Sequence, residues 1–593
     1  MKHILPFLFC LLFSHIFAQS GQDSSAYSEQ GIHNLVVFSK MYGALRYFYP
    51  SEKLSKIDWK KFLETAIPKV TRAKDENELI REINACCGSK DVFVVSDDIS
   101  HLHTSINGSG KIRYWSRYGY SGDSDWTTNG FFGFFYKLFG PYHSKIVSDT
   151  KKVQYPDPDS FYSYPVSSGI ALHMRHALYK NGNLPEEYIS ISKKFKKEKS
   201  NESTNESTTF RAATAIYITE ILRNFFPYPE FVSGDWDSLL SNVLKCAFSD
   251  SSNQQFLSSL RVLLSALNDG HAGVLYNNDS LVFKPPLSFV LIDSSIVVKN
   301  CEQCDSLGVK IGDMLLKVNG EDALQVLKRE ERIWSAATAW DKTYTALSNS
   351  FLSGIKNSTV NLDFSGEQGL KELQIRRTHL YVKVKPASNG LADEATIDSN
   401  IVYLRLAGVK YKTVKKALSG ITTEKGIIFD NRGYPNQSPF FLSKLAKAEK
   451  MESQKWLVPV FKFPFQQQME YDTSNWRIPK AKKPIPDSCK VVFLTNYKAI
   501  SASETLMSIV KYYKVGTIIG ETTAGTNGNI VATDFNKTFK FIFTGMKVLN
   551  QDGSQFHGIG VVPDIEVKPT IKGIREGRDE VLEYAIEYVK SGK

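Results

Sequence analysis

Apolar residues recur at helical spacing in two stretches of the chain that repeat each other. The first stretch, Leu45-Arg46-Tyr47-Phe48-Tyr49-Pro50, precedes Asp58-Trp59, and the second, Leu222-Arg223-Asn224-Phe225-Phe226-Pro227, precedes Asp235-Trp236. The offset is 177 residues both from Leu45 to Leu222 and from Asp58 to Asp235. A helical pattern precedes each proline, and another follows each tryptophan. We therefore predict two related helical hairpins, in residues 19–95 and 211–280, whose apolar stripes form a core.

The region between the hairpins is predicted to contain β-structure and a linker. Residues 96–190 are rich in aromatic side chains between Tyr114 and Tyr142, and Gly and Asp interruptions indicate short strands and turns. A β-structured core is favoured over a cleft that binds glycans. Residues 191–210 combine five lysines with two copies of Asn-Glu-Ser-Thr, a composition that cannot form a core. We predict a flexible linker there.

The C-terminal third alternates apolar strands with helical patterns. The predicted strands are Ile401–Leu406, Gly426–Phe429, Val491–Leu494 and Thr517–Gly520, and the predicted helices are Val414–Ile421, Phe440–Ala448 and Ala502–Tyr513. This alternation predicts a largely parallel sheet flanked by helices in residues 376–593. Reactive groups in such sheets collect where strands end and helices begin.

Length and composition indicate an ordered protein of several domains. A single hydrophobic core stops growing well below 593 residues, and 42% apolar residues exclude wholesale disorder. The excess of 73 basic over 62 acidic residues gives a net charge of +11. That surplus is small beside the matched charges, so it does not indicate nucleic-acid binding.

The N-terminus has the pattern of a secretory signal peptide. Met1-Lys2-His3 is positively charged, an apolar run follows to Phe17, and Ala18 offers a small residue for cleavage. We predict a signal peptide at residues 1–18. No other segment approaches the length of a membrane span. The mature chain is therefore predicted to be exported and soluble, in the periplasm or associated with the cell envelope.

One cysteine pair has the spacing of metal ligands. Cys301-Glu302-Gln303-Cys304 has no second pair and no nearby His, and an exported protein favours a local disulfide or two free thiols over zinc. We assign no metal.

Residues 281–375 are predicted to form a small β-rich domain. The string Ser306-Leu307-Gly308-Val309-Lys310-Ile311-Gly312-Asp313-Met314-Leu315-Leu316-Lys317-Val318-Asn319-Gly320 resembles a PDZ domain. Such modules capture an extended peptide by adding it as a strand to a sheet edge. The alternative is a strand-turn-strand unit of another fold.

Ser501 lies between a predicted strand and the helix that starts at Ala502. As an N-cap it would bond the free N–H groups of the first turn, with Glu504 reaching back in a capping box. As a nucleophile it would generate an oxyanion beside the same N–H groups. Periodicity alone favours the cap.

The order of six motifs changes this balance. They are Asp269-Gly270-His271, the PDZ-like string, Asp430-Asn431-Arg432-Gly433-Tyr434-Pro435, Ser501-Ala502-Ser503-Glu504, Gly520-Glu521-Thr522-Thr523-Ala524-Gly525 and Gly558-Ile559-Gly560-Val561-Val562-Pro563-Asp564. Together they resemble the tricorn and C-terminal processing peptidase family of serine proteases, over roughly residues 255 to 570. The resemblance implies a multidomain α+β protein in which a PDZ-like domain precedes an α/β core of the ββα, crotonase or ClpP-like type.

The resemblance also implies roles for individual residues. Ser501 would be the nucleophile and the N–H of Ala502 one oxyanion donor. The second donor is placed near Gly433, although the glycines usual in that loop fall at Asn436 and Gln437. In the processing branch a Lys is the base, but Thr526 stands at its position. The tricorn branch uses a His at the position of His271, which becomes the predicted base.

The group that orients His271 departs from the family pattern. Gly270 occupies the place of the Ser that links the tricorn His to its acid, and His557 stands where that branch has a Glu. Asp269, Glu521 and His557 are the candidates, and we predict Glu521. The alternative for Glu521 is a carboxylate that binds loop N–H groups at the end of a strand.

The resemblance therefore predicts an exported serine peptidase that cleaves extended or unfolded polypeptides and requires no metal or organic cofactor. The competing hypothesis is a peptide-binding scaffold that has kept the fold and lost efficient catalysis.

Overall fold

The computed structural model describes residues 27–50, 57–87, 92–95, 111–121, 142–149, 156–179, 206–302, 304–367, 369–380, 391–398, 400–421, 426–436 and 438–591. The predicted signal peptide and residues 191–205 of the predicted linker lie outside the described residues, as does Gln437. The α-helices are α1 (Glu29–Phe48), α2 (Trp59–Val70), α3 (Glu76–Cys87), α4 (Thr208–Phe225), α5 (Trp236–Ser249), α6 (Asn253–Ser265), α7 (Cys304–Leu307), α8 (Ala323–Glu331), α9 (Ala339–Asn349), α10 (Tyr411–Ser419), α11 (Ala502–Tyr513), α12 (Ile571–Arg575) and α13 (Glu580–Ser591).

Two pairs of consecutive helices, α1–α2 and α4–α5, contain the two copies of the sequence repeat. In each copy the second helix begins at the tryptophan of the repeat and is capped by the preceding aspartate. Asp58 and Asp235 each accept two N–H groups of the first turn. An N-cap carboxylate satisfies donors that the helix itself leaves free.

The two hairpins pack against each other with approximate twofold symmetry. Lys40 of α1 pairs with Asp237 of α5 at 2.6 Å. The equivalent residues, 177 positions away, are Tyr217 and Lys60, and the Lys60 ammonium lies 5.8 Å from the centre of the Tyr217 ring. The same two positions of the repeat therefore meet in both pairs, one residue from the first helix of one copy and one from the second helix of the other.

The aromatic-rich region contains strands β1 (Val92–Val95), β2 (Ile112–Tyr118), β3 (His143–Asp149), β4 (Tyr162–Ser167), β5 (Ile170–Met174) and β6 (Ala177–Tyr179). One three-stranded sheet has the order β1-β5-β4. The strand β2 pairs instead with β18 (Lys455–Phe461), which belongs to the C-terminal third. Strands β2, β3 and β6 therefore share a sheet with β18 of the C-terminal third, a pairing that the sequence pattern does not predict.

Residues 287–376 form an antiparallel sheet with its own hydrophobic core, which extends from Leu287 to Ile375. Its strands are β8 (Leu287–Ile292), β9 (Ser295–Cys301), β10 (Met314–Val318), β11 (Glu321–Asp322), β12 (Thr359–Gly366) and β13 (Gly369–Arg376). Their order is β13-β12-β10-β9-β8, with β11 beside β10. We call this unit the antiparallel domain. Cys301 and Cys304 are disulfide-bonded, one of the two alternatives that the sequence favours over zinc.

A mostly parallel sheet forms the centre of the C-terminal third. It has the order β14-β15-β16-β21-β22-β26, and its strands are β14 (Glu394–Ile397), β15 (Ile401–Arg405), β16 (Gly426–Asp430), β21 (Val491–Thr495), β22 (Thr517–Gly520) and β26 (Ile565–Glu566). All pairs are parallel except β14–β15. Strand β16 is buried on both faces, as a sheet covered by helices on both sides requires.

Several elements of the C-terminal third differ from the prediction. The helix predicted at Phe440–Ala448 is a short 3-10 helix, Pro439–Lys444, which Ser438 caps by accepting the N–H of Phe440. The remaining strands, which the pattern did not indicate, are β17 (Lys450–Glu452), β19 (Glu470–Ser474), β20 (Arg477–Pro479), β23 (Ile530–Phe535), β24 (Phe539–Thr544) and β25 (Lys547–Leu549). Strand β24 pairs with β7 (Gly273–Tyr276), which begins two residues after His271.

Among the helices of the described ranges, none combines the length and the apolar character that a membrane crossing requires. The described residues also contain no group of three or more His, Cys, Asp and Glu side chains placed to hold a metal ion.

Candidate active site

Ser501 has a backbone conformation that a residue with a Cβ rarely adopts. Its φ is 59° and its ψ is −119°, at the corner between β21 and α11. Such a conformation costs about 1–3 kcal/mol and persists only where surrounding contacts hold it. Here the Ser501 N–H donates to the carbonyl of Thr526 at 2.9 Å and to Glu504 Oε2 at 3.2 Å. A sharp strand-to-helix turn of this kind presents a hydroxyl at the end of a sheet.

Glu504 connects this corner to the loop after β22. Its buried carboxylate accepts hydrogen bonds from Thr523 Oγ1 at 2.6 Å, from the Gly525 N–H at 2.7 Å and from the Thr526 N–H at 3.0 Å. Burial raises the pKa of Glu504 to about 8, against the effect of these donors. Glu504 thus reaches back to Ser501 as a capping box requires, and it also fixes residues 523–526 beneath Ser501.

His271 is bound on one side by a hydroxyl relay. Its Nδ1 lies 2.9 Å from Thr544 Oγ1, and Thr544 Oγ1 donates to Asp269 Oδ1 at 2.7 Å. The Thr544 hydroxyl has one proton, which it donates in the hydrogen bond to the Asp269 carboxylate. Its oxygen can therefore only accept a hydrogen bond from the His271 ring, so Nδ1 must be the donor. The network therefore assigns the proton to Nδ1 and leaves the lone pair on Nε2. Within the described residues, Nε2 has no hydrogen-bond partner.

Asp269 is completely buried and anchors this relay. In addition to the Thr544 hydroxyl, its carboxylate accepts the N–H of Thr544 at 2.7 Å and the N–H of His271 at 3.0 Å. Burial lowers the pKa of His271 below its usual value; the charge of Asp269 opposes this effect, and that of His557 adds to it. The imidazole is therefore neutral near pH 7, the form that accepts a proton.

One buried threonine joins the His271 and Ser501 loops. The N–H of Gly270 donates to Thr526 Oγ1 at 3.0 Å, and the carbonyl of the same Thr526 accepts the Ser501 N–H. His271 and Ser501 thus lie on adjacent loops, although no hydrogen bond joins their side chains in this conformation. Such bonds are often long in enzymes without substrate and shorten in the complex. Thr526, at the position of the family's Lys, is fully buried.

The loop after β16 lies against the N-terminus of α11. Ser503 Oγ donates to the carbonyl of Gly433 at 3.1 Å, and Asn431 Nδ2 donates to the carbonyl of Ser503 at 3.2 Å. Neither the N–H of Gly433 nor that of Ala502 has an acceptor among the described residues. Two free N–H groups on adjacent backbone segments are what an oxyanion site needs.

The structure does not bring Glu521 to His271. The charged groups that affect the pKa of Glu521 are Lys299, Lys568, Glu566 and Arg432, and burial raises it. The ring of His271 bonds Thr544 instead. No contact therefore supports the orienting role predicted for Glu521. Asp269, another of the three candidates, is connected to the His271 ring through the Thr544 hydroxyl.

His557 also has a different partner. Its Nε2 donates to the carbonyl of Asn268 at 2.8 Å, and its ring stacks on Tyr228 with centroids 4.2 Å apart.

Thr544 and the bridging role of Thr526 were missed by the sequence analysis. Thr544 is 273 residues from His271, and a threonine at the end of a strand carries no pattern of its own.

Comparisons with known proteins agree on one family. Residues 400–567 match Peptidase family S41. A probable CtpA-like serine protease from Staphylococcus epidermidis is 27% identical over 216 residues, which are 36% of this chain and 41% of that protein. The chain thus spans about two fifths of the length of the curated relatives that it matches.

Among solved structures, mature CPAF complexed with lactacystin has a TM-score of 0.50 at 14% identity, covering 64% of this chain and 97% of that chain. Mature CPAF itself gives the same TM-score and identity, with 64% and 96% covered. At this identity the likeness shows a shared fold. The family resemblance predicted from the six motifs is confirmed.

Proposed function

We propose that this chain, whose residues 400–567 match Peptidase family S41, is a serine peptidase that cleaves extended or unfolded polypeptides. Ser501 is the proposed nucleophile and His271 the proposed base. The observation that carries the proposal is the relay from His271 through Thr544 to Asp269, because it leaves an unprotonated Nε2 on the loop beside Ser501.

In the proposed mechanism, His271 Nε2 takes the proton of Ser501 Oγ as the oxygen attacks the scissile carbonyl. The N–H groups of Ala502 and Gly433 bind the oxyanion. His271 then gives the proton to the leaving amine, and water hydrolyses the acyl-enzyme. The relay stabilises the imidazolium that forms between these steps. Asp269 replaces Glu521 as the proposed acid, acting through Thr544.

The wider proposal follows from the sequence. The antiparallel domain is the proposed PDZ-like unit that adds an extended peptide to a sheet edge. The basic and apolar N-terminal pattern around Lys2 supports export, to the periplasm or the cell envelope.

The second candidate function is a peptide-binding scaffold without efficient catalysis. It is favoured by the missing hydrogen bond between Ser501 and His271 and by Thr526 at the position of the family's Lys. A fluorophosphonate probe separates the two hypotheses, since only an activated serine reacts with it.

We expect the probe to label Ser501 in the full chain, labelling to be absent in Ser501→Ala, and labelling to fall at least tenfold in His271→Ala. The same samples are incubated with a denatured protein, and the new termini are mapped. Absence of both labelling and cleavage would reject the peptidase and leave the scaffold as the remaining hypothesis. Labelling that is unchanged in His271→Ala would remove the base and keep the nucleophile.

A further inference from the structure

One segment of the antiparallel domain contacts two loops of the candidate active site. Residues 335–341, which we call the bridging segment, end the connection from α8 to α9 and form the first turn of α9. The two loops are residues 268–271, the base loop, and residues 523–526, the support loop beneath Ser501. Further along α9, Leu347 packs in the hydrophobic core of the antiparallel domain. The bridging segment is thus anchored outside the sheet that leads to Ser501.

The bridging segment bonds the base loop through Ser335. The buried hydroxyl oxygen of Ser335 accepts the N–H of Asp269 at 2.9 Å. Asp341 packs against the same loop, because a Cβ at Gly270 would lie 2.7 Å from Asp341 Oδ2. Asp269 is the residue that anchors the hydroxyl relay to His271. Ser335 therefore holds the backbone of the relay's carboxylate.

The bridging segment also bonds the support loop. Thr338 Oγ1 donates to the carbonyl of Ala524 at 2.8 Å. Trp340 Nε1 donates to the carbonyl of Thr523, also at 2.8 Å. The packing between the two is close, since a Cβ at Gly525 would lie 2.7 Å from the methyl group of Thr338. The support loop is therefore fixed to the same segment that holds the base loop.

The separation of the two loops determines whether the base can reach the nucleophile. Among the described residues, one hydrogen bond joins the loops directly, from the Gly270 N–H to Thr526 Oγ1. The carbonyl of Thr526 accepts the Ser501 N–H, and the ring of His271 follows Gly270 in the chain. Proton transfer needs the two side chains within hydrogen-bond reach, and a misplacement of about 1 Å can slow a reaction about 10²-fold. A second connection between the loops is therefore important for the rate.

We propose that Ser335 and Trp340 are positioning residues, which hold the base loop and the support loop at the separation that lets His271 take the proton of Ser501. The proposal rests on the proposed peptidase function. Neither residue takes part in proton transfer, and each acts through the backbone that it bonds. The antiparallel domain then contributes to the chemical step itself, in addition to its proposed capture of extended peptide.

The test measures, in the full chain, the rate at which a fluorophosphonate probe labels Ser501. This small probe needs an activated serine and no capture of an extended peptide. Trp340→Phe removes the indole N–H and keeps an aromatic ring, and Ser335→Ala removes the acceptor of the Asp269 N–H. We expect each variant to be labelled about tenfold more slowly than the wild type.

The matched control is Trp115→Phe. The indole of Trp115 also donates to a backbone carbonyl at 2.8 Å, that of Tyr49, and neither residue belongs to the two loops or the bridging segment. Trp115→Phe should therefore be labelled at the wild-type rate. Urea unfolding of all the variants confirms that each is folded under the conditions of labelling.

A double-mutant cycle with His271→Ala separates positioning from a merely structural role. When the base is absent there is nothing left to position, so adding Trp340→Phe should slow the residual labelling by less than about twofold. A structural role would slow labelling equally in both backgrounds.

A further tenfold loss in the His271→Ala background, or a wild-type rate in either Trp340→Phe or Ser335→Ala, would overturn the positioning role and leave the peptidase in place. A wild-type chain that the probe does not label would reject the peptidase, and the positioning role with it.

Discussion

Gly270 donates its N–H to Oγ1 of Thr526 at 3.0 Å, and this bond fixes the loop of the proposed base to the loop beneath the proposed nucleophile. Thr526 also accepts the Ser501 N–H through its carbonyl and donates its own N–H to Glu504. The residue at the position of the family's Lys is thus a buried connector. Its contacts are those of a positioning group, which is consistent with a base supplied by His271 instead.

Gly270 leaves no space for the Ser that the tricorn pattern has at this position. A Cβ there would lie 2.7 Å from Asp341 Oδ2 and 2.7 Å from Thr526 Oγ1. Gly270→Ser should therefore lower the free energy of unfolding by about 1–3 kcal/mol and slow fluorophosphonate labelling of Ser501. Gly273→Ser is the matched control, because a Cβ at Gly273 has no atom within 4 Å. Equal melting temperatures and labelling rates for both variants would show that the loop has room after all.

Thr544→Val removes the hydroxyl of the relay and keeps the shape of the side chain. His271 Nδ1 then loses its acceptor and Asp269 loses one donor. We expect kcat/KM for a cleaved peptide to fall about 10- to 100-fold, less than the roughly 10²–10⁴-fold that general acid–base catalysis contributes, because His271 itself is retained. Thr544→Ser should retain most activity because it keeps the hydroxyl.

The pH profile distinguishes this role from a purely structural one. In the wild type the acidic limb of kcat/KM should lie below pH 6.5, because burial lowers the pKa of His271. The position of that limb should change in Thr544→Val and stay in place in Thr544→Ser. A uniform loss of activity at every pH, without movement of the limb, would contradict the relay.

The local elements of the site follow from the sequence, and its long-range pairings do not. The helix that starts at Ala502 and the strand before it are visible as apolar patterns, and Glu504 is visible as a capping residue. The partner of His271 is not visible, because it depends on β7 pairing with β24. In that antiparallel ladder Gly273 faces Ile542, so two residues further on His271 faces Thr544. Strand pairing over such distances leaves no periodic signal near either residue.

The same limit applies to Glu521, whose predicted contact with His271 the structure does not contain. Its motif places Glu521 directly after β22, a strand of the parallel sheet. The motif does not indicate which side chains the carboxylate contacts there. Lys299, which has no partner in β8 at a bulge of β9, lowers the pKa of Glu521 from the antiparallel domain. A bulge depends on how two strands pair, so it cannot be predicted from β9 alone.

Ser503 is expected to matter for the oxyanion site through the carbonyl of Gly433. Ser503→Ala removes the hydroxyl that donates to the carbonyl of Gly433 at 3.1 Å and so holds the residue whose N–H is the proposed oxyanion donor. We expect kcat to fall about tenfold with little change in KM, because a mobile N–H stabilises the transition state less than a fixed one. Ser508→Ala, on the same helix but bonded to Gln551, should leave kcat unchanged. A rise in KM at constant kcat would place Ser503 in substrate binding instead.

Asp341 makes the stability of the fold depend on pH. Its carboxyl is 4% exposed, and Oδ2 has no hydrogen-bond partner in the described part of the chain. Burial, and then the negative charge of Asp269, raises its pKa from 3.8 to about 7. The folded state therefore holds this proton at pH values where the unfolded state has lost it. The contribution of Asp341 to stability is fully present below pH 3.8 and declines as the pH rises through about 7.

Asp341→Asn is neutral at every pH and should remove this decline. Between the pKa values of the unfolded and folded states, loss of this one proton lowers the free energy of unfolding of the wild type by about 1.4 kcal/mol per pH unit. Urea unfolding midpoints measured from pH 4 to pH 8 should show the variant gaining stability relative to the wild type as the pH rises. A difference that stays constant over this range would mean that Asp341 is ionised throughout, with a counter-charge that stabilises it.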